Sequence, residues 1–345
     1  MIVLCRTDLT DVQRDRILAA VRGLGVSPQV REDNGRTLIE SPSSTDAARC
    51  DIERLAGVER VFAGEPGAHL VTWDAHPAAT KVQVGDVVFG GPDTIVVAGP
   101  CAVEGLDVLL EIARAVKAAG ARVLRGGAFK PRTSPYSFRG LGKDGLEFLA
   151  AAREETGLPV VTEVMDTRDV ALVERHADML QVGSRNMHNF ALLAEVGRTR
   201  KPVLLKRGMS ATIDEMLTSA EYVLAGGNEK VVLCERGIRT FEHSSRNTLD
   251  ITAVPALHAR THLPVCVDPS HASGRRGFVA PLARAAAAAG ADAVMIDVHV
   301  RPEDARCDGQ QAIVPAELAA IVRDIDALDE VLRRTASARS AEAVS

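Results

Sequence analysis

Apolar and polar positions along the chain follow two different rhythms, and the change comes near residue 94. Beyond it, short apolar runs recur eight times: "TIVVAGPC", "ARVLRGG", "LPVVTEVM", "DMLQVGS", "KPVLLKRG", "EKVVLCERG", "LPVCVDPSH" and "DAVMIDVH". Each is too short for a helix and nearly all apolar, as expected of a parallel strand buried on both faces. Ala-rich stretches of helical period separate them, for example at 104–119, 143–156, 187–197, 212–225 and 277–289. Eight strands alternating with helices predict a (β/α)8 TIM barrel over 94–330 rather than an open doubly wound sheet.

Before residue 94 the elements are shorter. "MIVLCR" reads as a strand and "TDVQRDRILAAVRGLG" as a helix with Thr10 at its N-cap. Strands follow at 27–31 and 36–40, then a helix near 45–55 opened by Ser44 or Thr45, then "VERVF" as a strand. The order βαββαβ predicts a small ferredoxin-like α+β domain over 1–65. Residues 66–93 read as a linker rich in Gly, Pro and His, then a hairpin, "KVQVGDVVFGG", turning at Gly85-Asp86. The tail, 331–345, shows no clear apolar face and reads as disordered.

Composition narrows the function. With 46% hydrophobic and 25% charged residues the chain reads as an ordinary soluble protein. A net charge of −5 argues against a nucleic-acid or membrane-surface partner, both of which need a basic face. Any cationic cluster is therefore local and aimed at a small anion. The six cysteines (5, 50, 101, 234, 266, 307) are widely spread with no C-x-x-C pair, which suits a reducing cytoplasm. Cys5, Cys50 and Cys234 read as packing residues. No signal peptide and no membrane-spanning run is evident.

In a barrel the chemistry collects at the C-terminal ends of the strands. Those ends here carry Cys101, Arg125, Lys130, Glu163, Gln181, Arg185, Lys206, Arg236, Asp268, His271, Asp297 and His299. One charge after an apolar strand is ordinary, but a reactive or charged side chain after nearly every strand is not explained by solvation. Arg125, Lys130, Arg132, Arg185, Lys206 and Arg236 form a cationic set suited to phosphate or carboxylate ligands. Six cations exceed the need of one phosphate, so two anionic substrates are the natural guess. The competing reading pairs these cations with Glu163, Asp268 and their neighbours as internal salt bridges. Cys101, His271, Asp297 and Asp308 make a candidate divalent-metal set. Each also has a plain structural reading, and their spacing matches no compact metal motif. The loop "GGAFKPRTSPYSFRGLG" (126–142) is stiffened by Pro131 and Pro135, with Phe129, Tyr136 and Phe138 available to anchor it.

The strings "VAGPCAVEG", "VLRGGAFKPRTSPYSFRGLG", "PVVTEVMD", "QVGSRNMHNF", "KPVLLKRGMSATIDEML", "LCERGIRTFEHSSRNTLD", "VDPSHASGRR" and "DGQQ" together resemble the type Iβ 3-deoxy-D-arabino-heptulosonate 7-phosphate (DAHP) synthases. The resemblance covers about 94–315. It implies condensation of phosphoenolpyruvate with erythrose 4-phosphate, the first step of the shikimate pathway toward the aromatic amino acids. It also implies a divalent ion (Mn2+, Co2+, Fe2+ or Zn2+) on Cys101, His271, Asp297 and Asp308, with Lys130, Cys101 and His271 as catalytic residues. Phosphoenolpyruvate would be held by Arg125, Arg185, Lys206 and Arg236. Arg132, Thr133 and Ser134 of the KPRTS stretch would hold erythrose 4-phosphate, and Lys130 would lie between the substrates. One departure stands out: the family reads E-V-H after the eighth strand, where this chain reads "DVH", placing Asp297 for glutamate. The N-terminal domain resembles, more loosely, a regulatory domain fused to some members. It implies an aromatic amino acid as effector, and the family implies a homotetramer; a chorismate mutase is a candidate partner. Two alternatives are a paralogue that condenses phosphoenolpyruvate with another sugar aldehyde in specialised metabolism and a weakly active regulatory subunit.

Overall fold

The computed structural model describes residues 1–33, 36–41, 46–62, 69–131, 134 and 136–342. Two compact units divide the chain, 1–78 and 79–345.

The first unit runs β1 (Ile2–Cys5), α1 (Asp11–Arg22), β2 (Gln29–Asp33), β3 (Arg36–Glu40), α2 (Asp46–Glu53) and β4 (Val58–Phe62). Its four strands form an antiparallel sheet in the order β2-β3-β1-β4. Thr10 and Gln13 start α1 with a reciprocal capping box: the Thr10 hydroxyl accepts from Gln13 N at 3.3 Å, and Thr10 N donates to Gln13 Oε1 at 3.0 Å. One sheet face and the apolar stripe of α1 close a core of Val3, Cys5, Ile17, Val21, Ile39 and neighbours. Ser44 and Thr45, the candidate caps of α2, lie outside the described residues, as do residues 66–68 at the start of the linker.

The second unit opens with a hairpin, β5 (Val82–Val84) and β6 (Val87–Phe89), whose turn places Gly85 at φ +61°. The strands of the barrel follow, each with its helix. They are β7 (Ile95–Gly99), α3 (Leu106–Ala118), β8 (Val123–Arg125), α4 (Lys143–Thr156), β9 (Val160–Val164), α5 (Val170–His176), β10 (Met179–Val182) and α6 (Phe190–Gly197). The second half comprises β11 (Val203–Lys206), α7 (Ile213–Ala225), β12 (Val231–Glu235), α8 (Ala253–His258), β13 (Val265–Val267), short α9 (Pro269–Ser273), α10 (Arg276–Ala288), β14 (Ala293–Asp297) and α11 (Pro315–Glu342). All eight strands are parallel, and β14 pairs with β7 to close the barrel. Every residue of these strands is buried, which explains their near-continuous apolar sequence.

The hairpin belongs to the barrel unit and is not merely a connection. Val82, Val84, Val87 and Phe89 form one buried cluster with Ile95, Val123, Met179 and Ala293, the first residues of β7, β8, β10 and β14. It therefore fills the N-terminal mouth and leaves the opposite end for chemistry. The tail also departs from the sequence reading: α11 continues to Glu342, where disorder was expected from 331. Its inner half packs Leu318, Ile321 and Ile325 against the barrel, and the Asp329 carboxylate accepts from Thr94 N and Oγ1, both at 2.7 Å. Residues 330–335 past that anchor are exposed, and the run as a whole is rich in Ala, Arg and Glu, good helix formers, so the helix persists without an apolar face. Among the described residues no helix is long and apolar enough to cross a membrane.

Candidate active site

A cavity of about 250 Å³ opens at the C-terminal end of the barrel. Arg125, Lys130, Arg185, Lys206 and Arg236 all line it, joined by Arg246, which the sequence reading had not singled out. Against six cations stand two lining carboxylates, Glu163 and Asp308. Arg125, Lys130, Lys206 and Arg236 are buried, while Arg185 and Arg246 stand exposed. Ser134 also lines the cavity, whereas Arg132 and Thr133 lie outside the described residues.

The strand ends explain why charges are tolerated here. Arg125 and Lys206 are the last residues of β8 and β11, and each carries a carboxylate partner. Lys206 Nζ donates to Asp268 Oδ2 at 2.5 Å, and the Arg125 guanidinium pairs with Asp297, the last residue of β14. Donors are nonetheless left over: Arg236 Nη1 and Arg125 Nε are buried with no hydrogen-bond partner among the described residues. A buried guanidinium nitrogen left unmatched costs free energy unless an anion completes it. Burial, the largest influence, pulls the Arg236 pKa down, as expected for a cation short of partners.

The loop expected to grip a ligand is built from close approaches. Gly127 is required where the chain passes Lys130 and the Cys101 carbonyl, because a Cβ there would collide with both. Lys130 Nζ donates to Cys101 O at 2.9 Å and lies 3.2 Å from Cys101 Sγ. Burial is the largest influence and works against the Lys130 charge, yet Cys101, Cys307 and Glu163 together outweigh it and the pKa is raised. Of the three aromatic anchors expected, Phe138 packs on Cys101, Ala102 and Cys307, but Tyr136 is 96% exposed and anchors nothing. Opposite the loop, Gly183 leaves room for the Glu163 carboxylate, whose pKa burial raises.

Beside the cations, Cys101, His271 and Asp308 converge, with one ligand atom from each all within 4.8 Å of one another. Cys101 Sγ is 3.2 Å from Asp308 Oδ2 and 3.7 Å from His271 Nε2. The short helix α9 holds His271. Asp268 caps it by accepting from His271 N at 2.9 Å, and its Oδ2 also lies 2.9 Å from His271 Nδ1. One fully buried carboxylate thus orients the imidazole and neutralises Lys206, and despite burial, His271 and Lys206 hold its pKa well below the usual range. Asp308 sits in the left-handed region at φ 54°, a conformation aspartate tolerates better than most residues. The Cys101 thiol is held well below its ordinary value, first by a hydrogen bond with Cys307 and then, against burial, by Lys130 and His271. A thiolate, an imidazole and a carboxylate at these separations fit a divalent transition ion.

Asp297 is not part of that group. Its Oδ2 comes within 3.7 Å of His271 Nε2, but it accepts from Gln311 Nε2 at 2.6 Å while Oδ1 pairs with Arg125. The aspartate side chain, one methylene shorter than glutamate, is engaged on both oxygens at the barrel wall. The internal salt-bridge reading thus holds for Lys206 with Asp268 and Arg125 with Asp297, and also for a neighbouring set in which Arg207 Nη1 joins Glu235 Oε2 at 2.9 Å and Asp250 Oδ2 at 2.8 Å. His299 is buried, with Nε2 3.8 Å from Glu104 Oε2.

The DAHP synthetase I family model matches residues 75–333. A phospho-2-dehydro-3-deoxyheptonate aldolase of Thermotoga maritima is 43% identical over 96% of this chain and 98% of its own length. The crystal structure of a Thermotoga maritima DAHP synthase superposes with a TM-score of 0.77 at 42% identity, covering 96% of this chain and 97% of that one. A 2-dehydro-3-deoxyphosphooctonate aldolase of Magnetococcus marinus is 33% identical over 75% of this chain and 96% of its own length. The strand-end chemistry and these likenesses agree: the chain belongs to the DAHP synthetase I family.

Proposed function

We propose that this protein condenses phosphoenolpyruvate with erythrose 4-phosphate to give DAHP and inorganic phosphate, the step that opens the shikimate pathway. The observation that carries the proposal is the pairing of a six-cation cavity with the adjacent Cys101, His271 and Asp308 group. Two substrates that both carry phosphate repel one another, and the cations offset that repulsion while fixing both in place. Arg125, Arg185, Lys206 and Arg236 hold phosphoenolpyruvate, with Arg236 Nη1 free to receive an anionic oxygen. Lys130 stands between the substrates, and Arg132, Thr133 and Ser134 take the erythrose 4-phosphate end.

Cys101, His271 and Asp308 hold the divalent ion. When bound, the ion supplies Lewis acidity to the aldehyde carbonyl. The enol carbon of phosphoenolpyruvate bonds to the aldehyde carbon, whose oxygen takes up a proton. Water then adds to C2 and loses a proton, and the C2–O bond to phosphate breaks to leave a ketone and inorganic phosphate. Burial raises the Glu163 pKa, which suits its carboxyl to take up or give a proton at the cavity wall. The N-terminal βαββαβ unit reads as a ferredoxin-like regulatory domain for an aromatic amino acid, on a cytoplasmic homo-oligomer.

A second reading has specific support. The 33% identity to the octonate aldolase favours a five-carbon aldose phosphate as the aldehyde. A panel of aldose phosphates, each assayed for phosphoenolpyruvate consumption by reduced, metal-loaded protein, separates the two. Preference for erythrose 4-phosphate supports the proposal, and preference for the five-carbon aldehyde supports the second reading.

A further inference from the structure

Cys307 has no part in the reaction described above, yet its sulfur lies against two of the three atoms that would bind the ion. Its Sγ is 3.6 Å from Cys101 Sγ and 3.7 Å from Asp308 Oδ2, and the residue is buried. We propose that Cys307 supplies a second thiolate to the divalent ion, taking the fourth place that the short Asp297 does not fill. The inference rests on the metal reading of Cys101, His271 and Asp308.

Three observations carry it. First, Asp297 is committed elsewhere: withdrawing it from Arg125 and Gln311 would strand a buried guanidinium and a fully buried amide. Second, the sulfur separation suits a shared ion. Two thiolates bound tetrahedrally at about 2.3 Å from one ion lie roughly 3.8 Å apart, close to the separation found. Third, Cys307 is placed unlike the other buried thiols of the barrel. Cys234 and Cys266 lie in the barrel core, beside one another and against backbone carbonyls of the next residue at 3.6 and 3.9 Å, in the manner of small packing residues. Cys307 is held instead on the segment that presents Asp308. Arg306 fixes that segment: its backbone N donates to Glu104 Oε1 at 2.7 Å, and its guanidinium lies 3.9 Å from the Phe138 ring centre.

As placed, Cys307 stands outside the set of atoms that all lie within 4.8 Å of one another. Binding must therefore draw its thiol toward His271 by rotation of one short side chain. Each of the two thiols gives up its proton to solvent as its sulfur takes the ion. Two thiolates, an imidazole and a carboxylate favour zinc, iron or cobalt over manganese.

Cobalt(II) titration of the reduced full-length protein reads the number of thiolates directly, through the near-ultraviolet sulfur-to-cobalt charge-transfer band. The band per bound cobalt should fall to about half in Cys307→Ser and in Cys101→Ser and vanish in the double variant, because each thiolate contributes its own transition. Cobalt affinity of Cys307→Ser should fall by at least about tenfold. X-ray absorption on the unsubstituted cobalt protein, which needs no variant to fold, should count two sulfurs. A one-sulfur shell, with a band lost in Cys101→Ser and untouched in Cys307→Ser, overturns the role of Cys307 and leaves the metal reading standing. A cobalt protein with no thiolate band at all overturns the metal reading and the inference with it.

Discussion

Asp268 concentrates more of the site on one side chain than any other residue. It caps α9, sits 2.9 Å from His271 Nδ1 and neutralises Lys206, all from a fully buried position. Asp268→Asn keeps the shape but removes the charge, leaving Lys206 buried without its counter-ion. Breaking a buried pair in this way costs about 3–5 kcal/mol, and loss of a carboxylate behind a metal-binding histidine costs about 10–100-fold in metal affinity. Thermal melting and metal titration of the variant should show both losses together. A variant as stable as the parent with unchanged metal affinity would show that the carboxylate charge is not needed there. Glu163 makes a pH prediction. Burial raises its pKa above the ordinary 4.5, so the folded form holds the proton more tightly than the unfolded chain. Its contribution to stability is full below that ordinary value and is lost as pH rises through the raised one. Glu163→Gln removes this loss, so the melting temperature of the variant relative to the parent should climb as pH rises from about 5 to about 8. A difference that stays flat across that range would mean burial does not set the Glu163 titration. The ring of reactive strand ends was legible in the sequence, because a parallel strand buried on both faces leaves charge nowhere but its ends. Cys307 and Arg246 were not legible: Cys307 meets Cys101 from 206 positions away, and Arg246 reaches Asp308 and Gln311 from 62 and 65.

Elements explain why these side chains converge at one end only. The hairpin β5–β6 fills the N-terminal mouth with Val82, Val84, Val87 and Phe89, against the first residues of four strands. Its turn and alternating pattern were legible, but nothing local says which surface the apolar face will cover. Phe89→Ala should cost about 3–5 kcal/mol by opening a cavity in that plug. Denaturant unfolding should show this loss while metal affinity, set at the other end of the barrel, stays within twofold of the parent, an order-of-magnitude bound for distant sites. Equal loss of metal affinity would mean that the two ends are coupled. The persistence of α11 past Asp329 was missed for a related reason. A run rich in Ala, Arg and Glu has helix propensity but no apolar stripe, so apolar periodicity alone does not reveal it.

At the scale of the whole molecule, two units carry separate cores. The first closes on its own cluster around Val3, Ile17 and Ile39, and the barrel closes through β14 and β7. A truncated form of the Thermotoga maritima DAHP synthase superposes on 76% of this chain with a TM-score of 0.72 at 47% identity. Removal of residues 1–78 should accordingly leave a cooperatively melting, active barrel that no longer responds to an aromatic amino acid. Inhibition curves for full-length and truncated protein test this, and superimposable curves would place the effector site in the barrel. The most direct test of the central claim is the mass of the product. Reduced, metal-loaded full-length protein given phosphoenolpyruvate and erythrose 4-phosphate should form DAHP and release one inorganic phosphate per molecule formed, and chelation should stop both. Phosphate release without a seven-carbon product, or product formation undiminished by chelation, would contradict the account.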